Sequence, residues 1–265
     1  MLLSPFIARY DHVLFDLDGC VWVGDEPTPG AAAAIGALRA AGKGVAFVTN
    51  DSQLQTEEYV RKLWKLGFQA SLEEVVTVGG ALQYVLAERF QGRAAVVVGS
   101  PALHRHVESA GLRVVNRTAF ARRADVVVVA FHPRFDYDEL REATQAALRG
   151  AFLLGSNRDA TFPQPDGPWP GSGAIIAALE TASGRAVATV GKPEPTLVQT
   201  ALDRLGPGRA LMVGDRVDAD LGAAHAAGID GAIVLTGASD RALAEAAKSP
   251  TPVAISERLA TLVLG

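Results

Sequence analysis

The stretch DHVLFDLDGCVW, residues 11–22, places two carboxylates, Asp16 and Asp18, directly after a short apolar run. Unbroken apolar runs such as 13–15 are typical of strands that a parallel sheet buries on both faces. Charged groups at the end of a buried strand are costly unless a partner compensates them. The stretch therefore predicts a core strand whose carboxyl end carries a functional site, with a cation that offsets the two acids.

Strands and helices alternate along the rest of the chain. Apolar runs occupy 12–17, 44–49, 94–99, 124–130, 151–156, 210–215 and 231–236. Helical stretches that end before a glycine, the usual helix stop, occupy 30–41, 55–66, 101–110, 194–205 and 220–227. Repeated strand–helix–strand units predict an α/β fold with a mostly parallel sheet.

The middle of the chain differs from both ends. Residues 156–173, SNRDATFPQPDGPWPGSG, are rich in proline and glycine. Long irregular loops in compact domains are usually functional. We expect a second domain at 89–184, inserted into a core made of 1–88 and 185–265.

Composition limits the classes of function. The formal net charge of -4 gives no sign of nucleic-acid binding, and no apolar run reaches the roughly 18 residues that a membrane span needs. The single Cys20 cannot form an internal disulfide, which suits a reducing compartment. The first residues also make a poor signal peptide. We expect a soluble, cytoplasmic protein without nucleic-acid or membrane partners.

The ends of four predicted strands are followed by polar groups, one of them at the start of a helix, that would meet at one edge of the sheet. They are Asp16 with Asp18, then Thr49 with Asn50 and Asp51, then Lys192, and finally Asp215 with Asp218 and Asp220. Ligands bind at the carboxyl ends of parallel strands. Clustered carboxylates repel one another, and Mg²⁺ with a phosphate in its shell relieves that repulsion. An ionised Asp can attack phosphorus while a second carboxyl acts as general acid and base.

The motifs DLDGCVW, VTND, GKPEP and GDRVDADLGAAHAAG, in that order, resemble the four motifs of the haloacid dehalogenase (HAD) superfamily. The segment FLLGSNRDATFP and its continuation into GKPEP is similar to the cap of the NagD-like, p-nitrophenyl phosphatase branch. That branch includes phosphoglycolate, pyridoxal-phosphate and glycerol-3-phosphate phosphatases. The resemblance implies a Rossmann-like parallel-sheet core with an inserted α/β cap domain that governs substrate specificity.

The same resemblance implies a role for each matching residue. Asp16 would be the nucleophile and a Mg²⁺ ligand, and Asp18 the general acid and base whose backbone carbonyl also binds the metal. Thr49 and Asn50 would hold the phosphoryl group, and Lys192 would bridge nucleophile and phosphate. Asp215 would bind Mg²⁺, with Asp220 supporting the metal site. The cap loop at Asn157, Arg158 and Asp159 would face the leaving group.

Two positions depart from the family pattern. Cys20 stands where the family usually has Thr, which changes a supporting hydrogen bond because a thiol is a weak donor. Asp51 stands where Asn is frequent, so it adds negative charge close to the expected phosphate. We expect Asp51 to turn away, to pair with a cation, to take up a proton, or to accept hydrogen bonds from substrate hydroxyls.

Several other motifs have a structural rather than a catalytic interpretation. We expect Asp218 to cap the helix that follows it, and we expect His104 and His106 to be solvated on a helix rather than to bind metal. Trp169 is either a loop anchor or a surface on which substrate stacks. GSGAII at 171–176 lacks the third glycine of a dinucleotide fingerprint.

The sequence thus predicts a Mg²⁺-dependent phosphomonoesterase that acts on a small phosphorylated metabolite through a phospho-Asp16 intermediate. Glycerol 3-phosphate and 2-phosphoglycolate are the favoured substrates, with p-nitrophenyl phosphate as an artificial one. A phosphometabolite-binding protein with little turnover and a phosphotransferase are the alternatives. The intact pair of Asp16 and Asp18 favours catalysis over binding, since a binder needs no acid–base group. A homodimer through the cap is expected by analogy alone.

Overall fold

A computed structural model describes residues 2–162 and 167–265 of the chain. The strands are β1 His12–Phe15, β2 Trp22–Val23, β3 Glu26–Pro27, β4 Gly44–Thr49, β5 Val75–Thr77, β6 Ala94–Val98, β7 Arg113–Val114, β8 Val126–Val129, β9 Phe152–Gly155, β10 Thr161–Phe162, β11 Trp169–Pro170, β12 Ala188–Thr189, β13 Ala210–Gly214, β14 Asp230–Val234 and β15 Ala254–Ser256. The α-helices are α1 Ala31–Ala40, α2 Thr56–Lys65, α3 Val78–Phe90, α4 Pro101–Ser109, α5 Tyr137–Ala147, α6 Ser172–Ser183, α7 Thr196–Leu205, α8 Gly222–Ala226, α9 Arg241–Ala246 and α10 Leu259–Leu264.

The first sheet has six parallel strands in the order β15-β14-β13-β1-β4-β5. The opening stretch supplies its central strand, because β1 pairs with β13 on one side and β4 on the other. Phe15 lies opposite Val213 and Phe47, so the three strands end almost level with one another. The parallel α/β core expected from the alternating pattern is therefore present.

The second sheet has five parallel strands in the order β12-β9-β8-β6-β7. Its strands are drawn from the chain between β5 and β13, as an insertion would require. The edge strand β12 lies beyond residue 184, which is where the expected insertion ends. The boundaries of the core at 1–88 and 185–265, and of the cap at 89–184, stay a prediction.

Hydrophobic packing joins the two sheets. One cluster lies between one face of the first sheet and helices α1, α2 and α10. A second covers the outer face of the second sheet under α5 and α6. A third runs between the sheets, where Leu14 and Val48 of the first sheet share one cluster with Leu82 of α3 and with Val97 and Val128 of the second sheet.

Two short antiparallel hairpins approach the carboxyl edges of the sheets. The hairpin β2–β3 begins at Trp22, shortly after Asp18, and β10–β11 lies in the proline- and glycine-rich loop of the second sheet. Residues 163–166 of that loop lie outside the described residues. Across the described ranges, no helix combines the length and the apolar character required to cross a membrane.

Candidate active site

Three neighbouring strands bring the expected acids to one edge of the first sheet. Asp16 follows β1 directly, Asp215 follows β13, and Thr49 is the last residue of β4. All three side chains are buried, although each carries a polar group. The convergence follows from parallel topology, because neighbouring strands in register deliver their last residues to the same edge.

Lys192 is buried within this group and binds two of the acids. Its Nζ atom lies 2.5 Å from Asp16 Oδ1 and 2.6 Å from Asp220 Oδ1, and it donates to the Val48 carbonyl at 3.1 Å. Burial lowers the pKa of Lys192, but the two carboxylates outweigh it and hold that pKa above its usual value. Lys192 therefore carries a fixed positive charge directly beside the Asp16 carboxylate.

Asp16, Asp215 and Asp220 form a buried acidic cluster whose carboxylate oxygens lie within 4.8 Å of one another. Burial, and then the charge of Asp220, raise the pKa of Asp215 to about 7. Asp215 Oδ2 accepts the Ala238 N–H at 2.5 Å, whereas the buried Oδ1 has no hydrogen-bond partner among the described residues. An orphaned buried carboxylate oxygen among carboxylates fits a hard divalent cation such as Mg²⁺.

Glycines surround Asp215 and leave room for its carboxylate. Gly19, with a φ of +84°, and Gly237 both lie so close that a Cβ at either would collide with Asp215 Oδ2. The glycine of the opening Asp-x-Asp-Gly motif is thus required both by its backbone conformation and by this contact.

Asp18 lies beside the acidic cluster but its side chain is not part of it. Its Oδ1 atom accepts the Trp22 indole N–H at 2.8 Å. Burial, followed by the charge of Asp51, raises the pKa of Asp18 to about 6. A carboxyl group that titrates near neutral pH can both give and take a proton, which suits a general acid and base.

Asn50 is placed differently from its expected role. Its Nδ2 atom donates to the Lys192 carbonyl at 3.0 Å and to Asp159 Oδ2 at 3.1 Å, while its Oδ1 accepts the Lys192 N–H at 2.8 Å. Both amide N–H groups are therefore engaged by protein acceptors. Thr49 Oγ1 accepts the Asp51 N–H at 3.0 Å, so its own hydroxyl proton is still available to a phosphoryl oxygen.

Asp51 is anchored by two neighbours on the cavity wall. Its Oδ1 atom accepts the Gln53 N–H at 3.0 Å, and its Oδ2 accepts the Tyr59 hydroxyl at 2.6 Å. Of the four arrangements expected from the sequence, two are not found among the described residues, since the side chain neither turns out of the cavity nor pairs with a cation. Uptake of a proton and hydrogen bonds from substrate hydroxyls stay predictions. Two neutral donors hold the side chain in place.

The three cap residues separate into two groups. Asn157 is buried and donates from Nδ2 to the Asn50 carbonyl at 2.8 Å, and Asp159 lines the cavity. Arg158 instead binds Glu180 at 2.9 Å and the Val187 carbonyl at 2.7 Å, outside the cavity lining. The structure therefore does not bring Arg158 to the leaving-group side.

The acids open into a cavity of about 1060 Å³ between the carboxyl edges of the two sheets. Residues from both sheets line it: Asp16, Asp18, Val23, Asp25, Thr49, Asn50, Asp51, Lys62, Phe131, Asn157, Asp159, Thr161, Phe162, Ser172, Lys192, Asp215 and Arg216. Sequence reasoning missed Lys62, Phe131, Phe162, Ser172 and Arg216. Arg216 alone carried a signal, because it directly follows Asp215 at a strand end.

The structure also places three residues that were singled out in the sequence. Asp218 Oδ1 accepts the N–H of Ala219 at 2.9 Å near the start of a helical turn, and the side chain also binds Arg216. The expectation of a solvated His106 is wrong, since its ring is buried and its Nδ1 meets Gln83 Oε1 at 2.8 Å. Cys20 is buried with its Sγ atom 3.6 Å from the Val213 carbonyl.

Comparison with known proteins supports the same interpretation. A family model described as haloacid dehalogenase-like hydrolase matches residues 13–113, and one described as HAD-hydrolase-like matches residues 189–262. The chain is 38% identical over 253 residues to the D-glycerol 3-phosphate phosphatase of Mycobacterium tuberculosis, with 94% of this chain and 70% of that protein covered.

Solved structures agree over nearly the whole chain. The glycerol phosphate phosphatase of Mycobacterium tuberculosis in complex with magnesium superposes with a TM-score of 0.88 at 35% identity, covering 99% of this chain and 79% of that one. A 4-nitrophenylphosphatase from Thermotoga maritima superposes with a TM-score of 0.87 at 29% identity, covering 97% of each chain.

Proposed function

The chain belongs to the haloacid dehalogenase-like hydrolase family as a hydrolase of phosphoric monoesters, and we propose that its substrate is a small polyol phosphate, with glycerol 3-phosphate first. The observation that carries the mechanism is the buried contact of Lys192 with Asp16 beside the orphaned oxygen of Asp215. That arrangement supplies a nucleophile, a fixed cation and an oxygen site for Mg²⁺.

Asp16, Asp215 and Asp220 are the residues around a Mg²⁺ ion in this proposal. The ion, when bound, neutralises the acids and polarises the phosphoryl oxygens. Lys192 binds Oδ1 of Asp16, which leaves Oδ2 as the oxygen for attack. The Thr49 hydroxyl can donate to the phosphoryl group while Asn50 holds the backbone of Lys192 in place.

Two displacements complete the reaction. Asp16 Oδ2 forms a bond to phosphorus, the bond from phosphorus to the ester oxygen breaks, and protonated Asp18 gives its proton to the leaving alkoxide. Asp18, now ionised, then takes a proton from water while the water oxygen attacks phosphorus. The bond between phosphorus and Asp16 breaks, and phosphate leaves with the enzyme restored.

The charge of the cavity wall favours a neutral leaving group. Outside the acidic cluster, the protonated Asp18 and the contact between Asp159 and Arg216, the wall carries Asp25, Glu26 and Asp51 against Lys62. Lys62 already contacts an acid, since it lies 3.3 Å from Asp25. A second anionic group, as in 2-phosphoglycolate, would meet net negative charge, whereas a glycerol leaving group has no second charge for these carboxylates to repel.

The proposal is tested by phosphate release from glycerol 3-phosphate, 2-phosphoglycolate and p-nitrophenyl phosphate in Mg²⁺. We expect kcat/KM for glycerol 3-phosphate to exceed that for 2-phosphoglycolate by about tenfold, the size of one repulsive contact of roughly 1.4 kcal/mol. A mock purification from cells that lack the protein is the blank that subtracts contaminating phosphatase, and Asp16→Asn is assayed beside the wild type. A preference for 2-phosphoglycolate would overturn the polyol assignment, and turnover by Asp16→Asn would overturn the phospho-Asp16 step.

A further inference from the structure

Arg216 bridges the two carboxyl edges that enclose the cavity. It follows Asp215 at the end of β13, and its guanidinium Nε lies 3.5 Å from Asp159 Oδ1 on the opposite side. Its Nη1 also lies 3.4 Å from the Thr161 carbonyl, at the start of β10. Asp218, on the same side of the cavity as Arg216, accepts a hydrogen bond from the Arg216 Nη2 at 2.9 Å. This contact fixes the orientation of the guanidinium.

Asp159 is connected in turn to Lys192 through Asn50. While Oδ1 faces Arg216, Oδ2 accepts the Asn50 amide at 3.1 Å. The side-chain amide of Asn50 also makes two hydrogen bonds with the backbone of Lys192. Its Nδ2 donates to the carbonyl at 3.0 Å, and its Oδ1 accepts the N–H at 2.8 Å. Lys192 in turn reaches Asp16 at 2.5 Å. Four successive residue pairs in polar contact thus connect Arg216 to Asp16.

Glycines allow close packing of the backbone around this chain of contacts. A Cβ at Gly191 would lie 2.6 Å from Asn50 Oδ1 and 2.6 Å from the Ser156 carbonyl, so only glycine allows the amide to reach Lys192. At the start of α6, a Cβ on Gly171 would collide with the Asp159 carbonyl, and Gly173 donates its N–H to that carbonyl at 2.9 Å. The glycines of GSGAII therefore hold the Asp159 loop rather than a nucleotide.

We propose that Arg216 and Asp159 form a positioning pair which, through Asn50, fixes the backbone of Lys192 against Asp16. The proposal rests on the phosphatase function proposed above and assigns a role to Arg216 that the motif does not require. Asp159 then acts on the nucleophile side rather than as a reader of the leaving group. The pair serves every substrate alike, because Lys192 and Asp16 meet only the phosphoryl group.

Kinetics separate positioning from recognition. Arg216→Ala and Asp159→Asn should each lower kcat by about tenfold to a hundredfold, as a small misplacement of a catalytic group does, with KM nearly unchanged. The loss should be equal for p-nitrophenyl phosphate and glycerol 3-phosphate. The double variant should be no slower than the slower single one, because both changes break one chain of contacts.

Chemical rescue provides a further readout. Guanidinium ion at millimolar concentration should restore part of kcat to Arg216→Ala by occupying the vacated site. The matched control is Arg117→Ala, which removes an arginine that lies 2.6 Å from Asp136, the residue before α5, away from the cavity. That variant should keep wild-type kcat and should not respond to guanidinium.

Amide hydrogen exchange tests the pair without relying on turnover. In Arg216→Ala, segments containing Asp159, Gly173 and Gly191 should exchange faster than in wild type, and in Arg117→Ala they should not. Unchanged exchange, multiplied losses in the double variant, or a loss confined to glycerol 3-phosphate would each overturn the positioning pair. If the wild type hydrolysed no ester, the proposed function would fail, and exchange would still decide whether Arg216 holds the loop.

Discussion

The two sheets share a topology but present different chemistry at their carboxyl edges. Strands β1 and β13 of the first sheet are followed by Asp16 and Asp215, whereas β8 of the second sheet is followed by Ala130 and then Phe131, and β9 by Ser156 and then Asn157. Both edges line the same cavity. A parallel sheet therefore supplies the location of a site, and the residues one or two positions past each strand decide what the site does.

The different residues at the two edges predict different roles for the two sheets. The first sheet gathers buried acids, and Lys192 offsets part of their charge. The second sheet contributes to the cavity an aromatic pair, Phe131 and Phe162, whose ring centroids are 4.4 Å apart. Changes at the first edge, or in the Arg216–Asp159 pair that supports it, should affect every substrate. Changes at the aromatic pair of the second edge should affect the choice among substrates.

The largest expected effect comes from Asp16→Asn, which removes the proposed nucleophile and keeps the shape of its side chain. We expect kcat to fall by about 10⁴-fold or more for all esters, as when other enzymes lose a nucleophile. Stability should hold or rise, because burial disfavours the charged carboxylate of Asp16. Phosphate release and thermal unfolding measure the two effects.

The matched control for that change is Asp125→Asn, an isosteric replacement directly before β8 at the amino edge of the second sheet. It should leave kcat unchanged. A comparable loss in both variants would show that the effect is structural and that the carboxyl edge of the first sheet is not special.

Removal of Mg²⁺ should come next in size. Chelation should lower turnover by about 10³-fold, and Ca²⁺ should restore it poorly because its looser coordination misplaces the nucleophile. Added Mg²⁺ should raise the thermal unfolding midpoint of the wild type but not of Asp215→Asn. In that variant the amide oxygen accepts the Ala238 N–H, so an uncharged NH₂ group takes the place of the orphaned oxygen. Full activity in chelator would contradict the metal site at the first edge.

A change at the second edge should be smaller and selective. Phe162→Ala removes one ring of the aromatic pair, and we expect it to raise KM for p-nitrophenyl phosphate about fivefold, in line with the value of one aromatic contact. KM for glycerol 3-phosphate should change less than twofold, and Phe120→Ala, an exposed ring outside the cavity, should change neither. Equal losses for both esters would remove the distinction between the two edges.

The smallest effect is expected at Asp51, the acid that departs from the family pattern. Asp51→Asn removes a charge that two neutral donors hold on the cavity wall, so KM should fall about threefold for both esters after screening. Asp25→Asn is the control, because its carboxylate is 95% exposed and water screens it. A loss specific to glycerol 3-phosphate would show that Asp51 binds hydroxyl groups instead.

Much of the first edge could be predicted because its residues follow strands that the sequence marks clearly. Strand β4 was expected at 44–49 and is found at Gly44–Thr49, and Asp16, Thr49 and Asp215 meet as the parallel topology requires. The three-residue strands β5 and β15 were missed, since so few residues carry no periodic pattern. Helix α5 was also missed, because Leu148 and Arg149 separate its end from Gly150.

The rest of the site depends on contacts between residues far apart in the chain. The Asn50 amide looks free to hold phosphate in the motif VTND, yet its partner Lys192 lies 142 positions later. Arg158 looks like a substrate cation in SNRD, but Glu180 on α6 lies within reach of its guanidinium. Local sequence specifies which side chains are available, and only the assembled fold specifies which of them are already engaged.

The hydrophobic cluster between the sheets has a consequence for how the molecule unfolds. Leu14 and Val48 of one sheet and Val97 and Val128 of the other lie in one buried cluster with Leu82 of α3. Exposing either sheet would expose apolar surface of the other, so neither is a separate thermodynamic unit. The enzyme should unfold in a single cooperative transition, although its chain forms two separate sheets. The calorimetric enthalpy of unfolding should then equal the van't Hoff enthalpy.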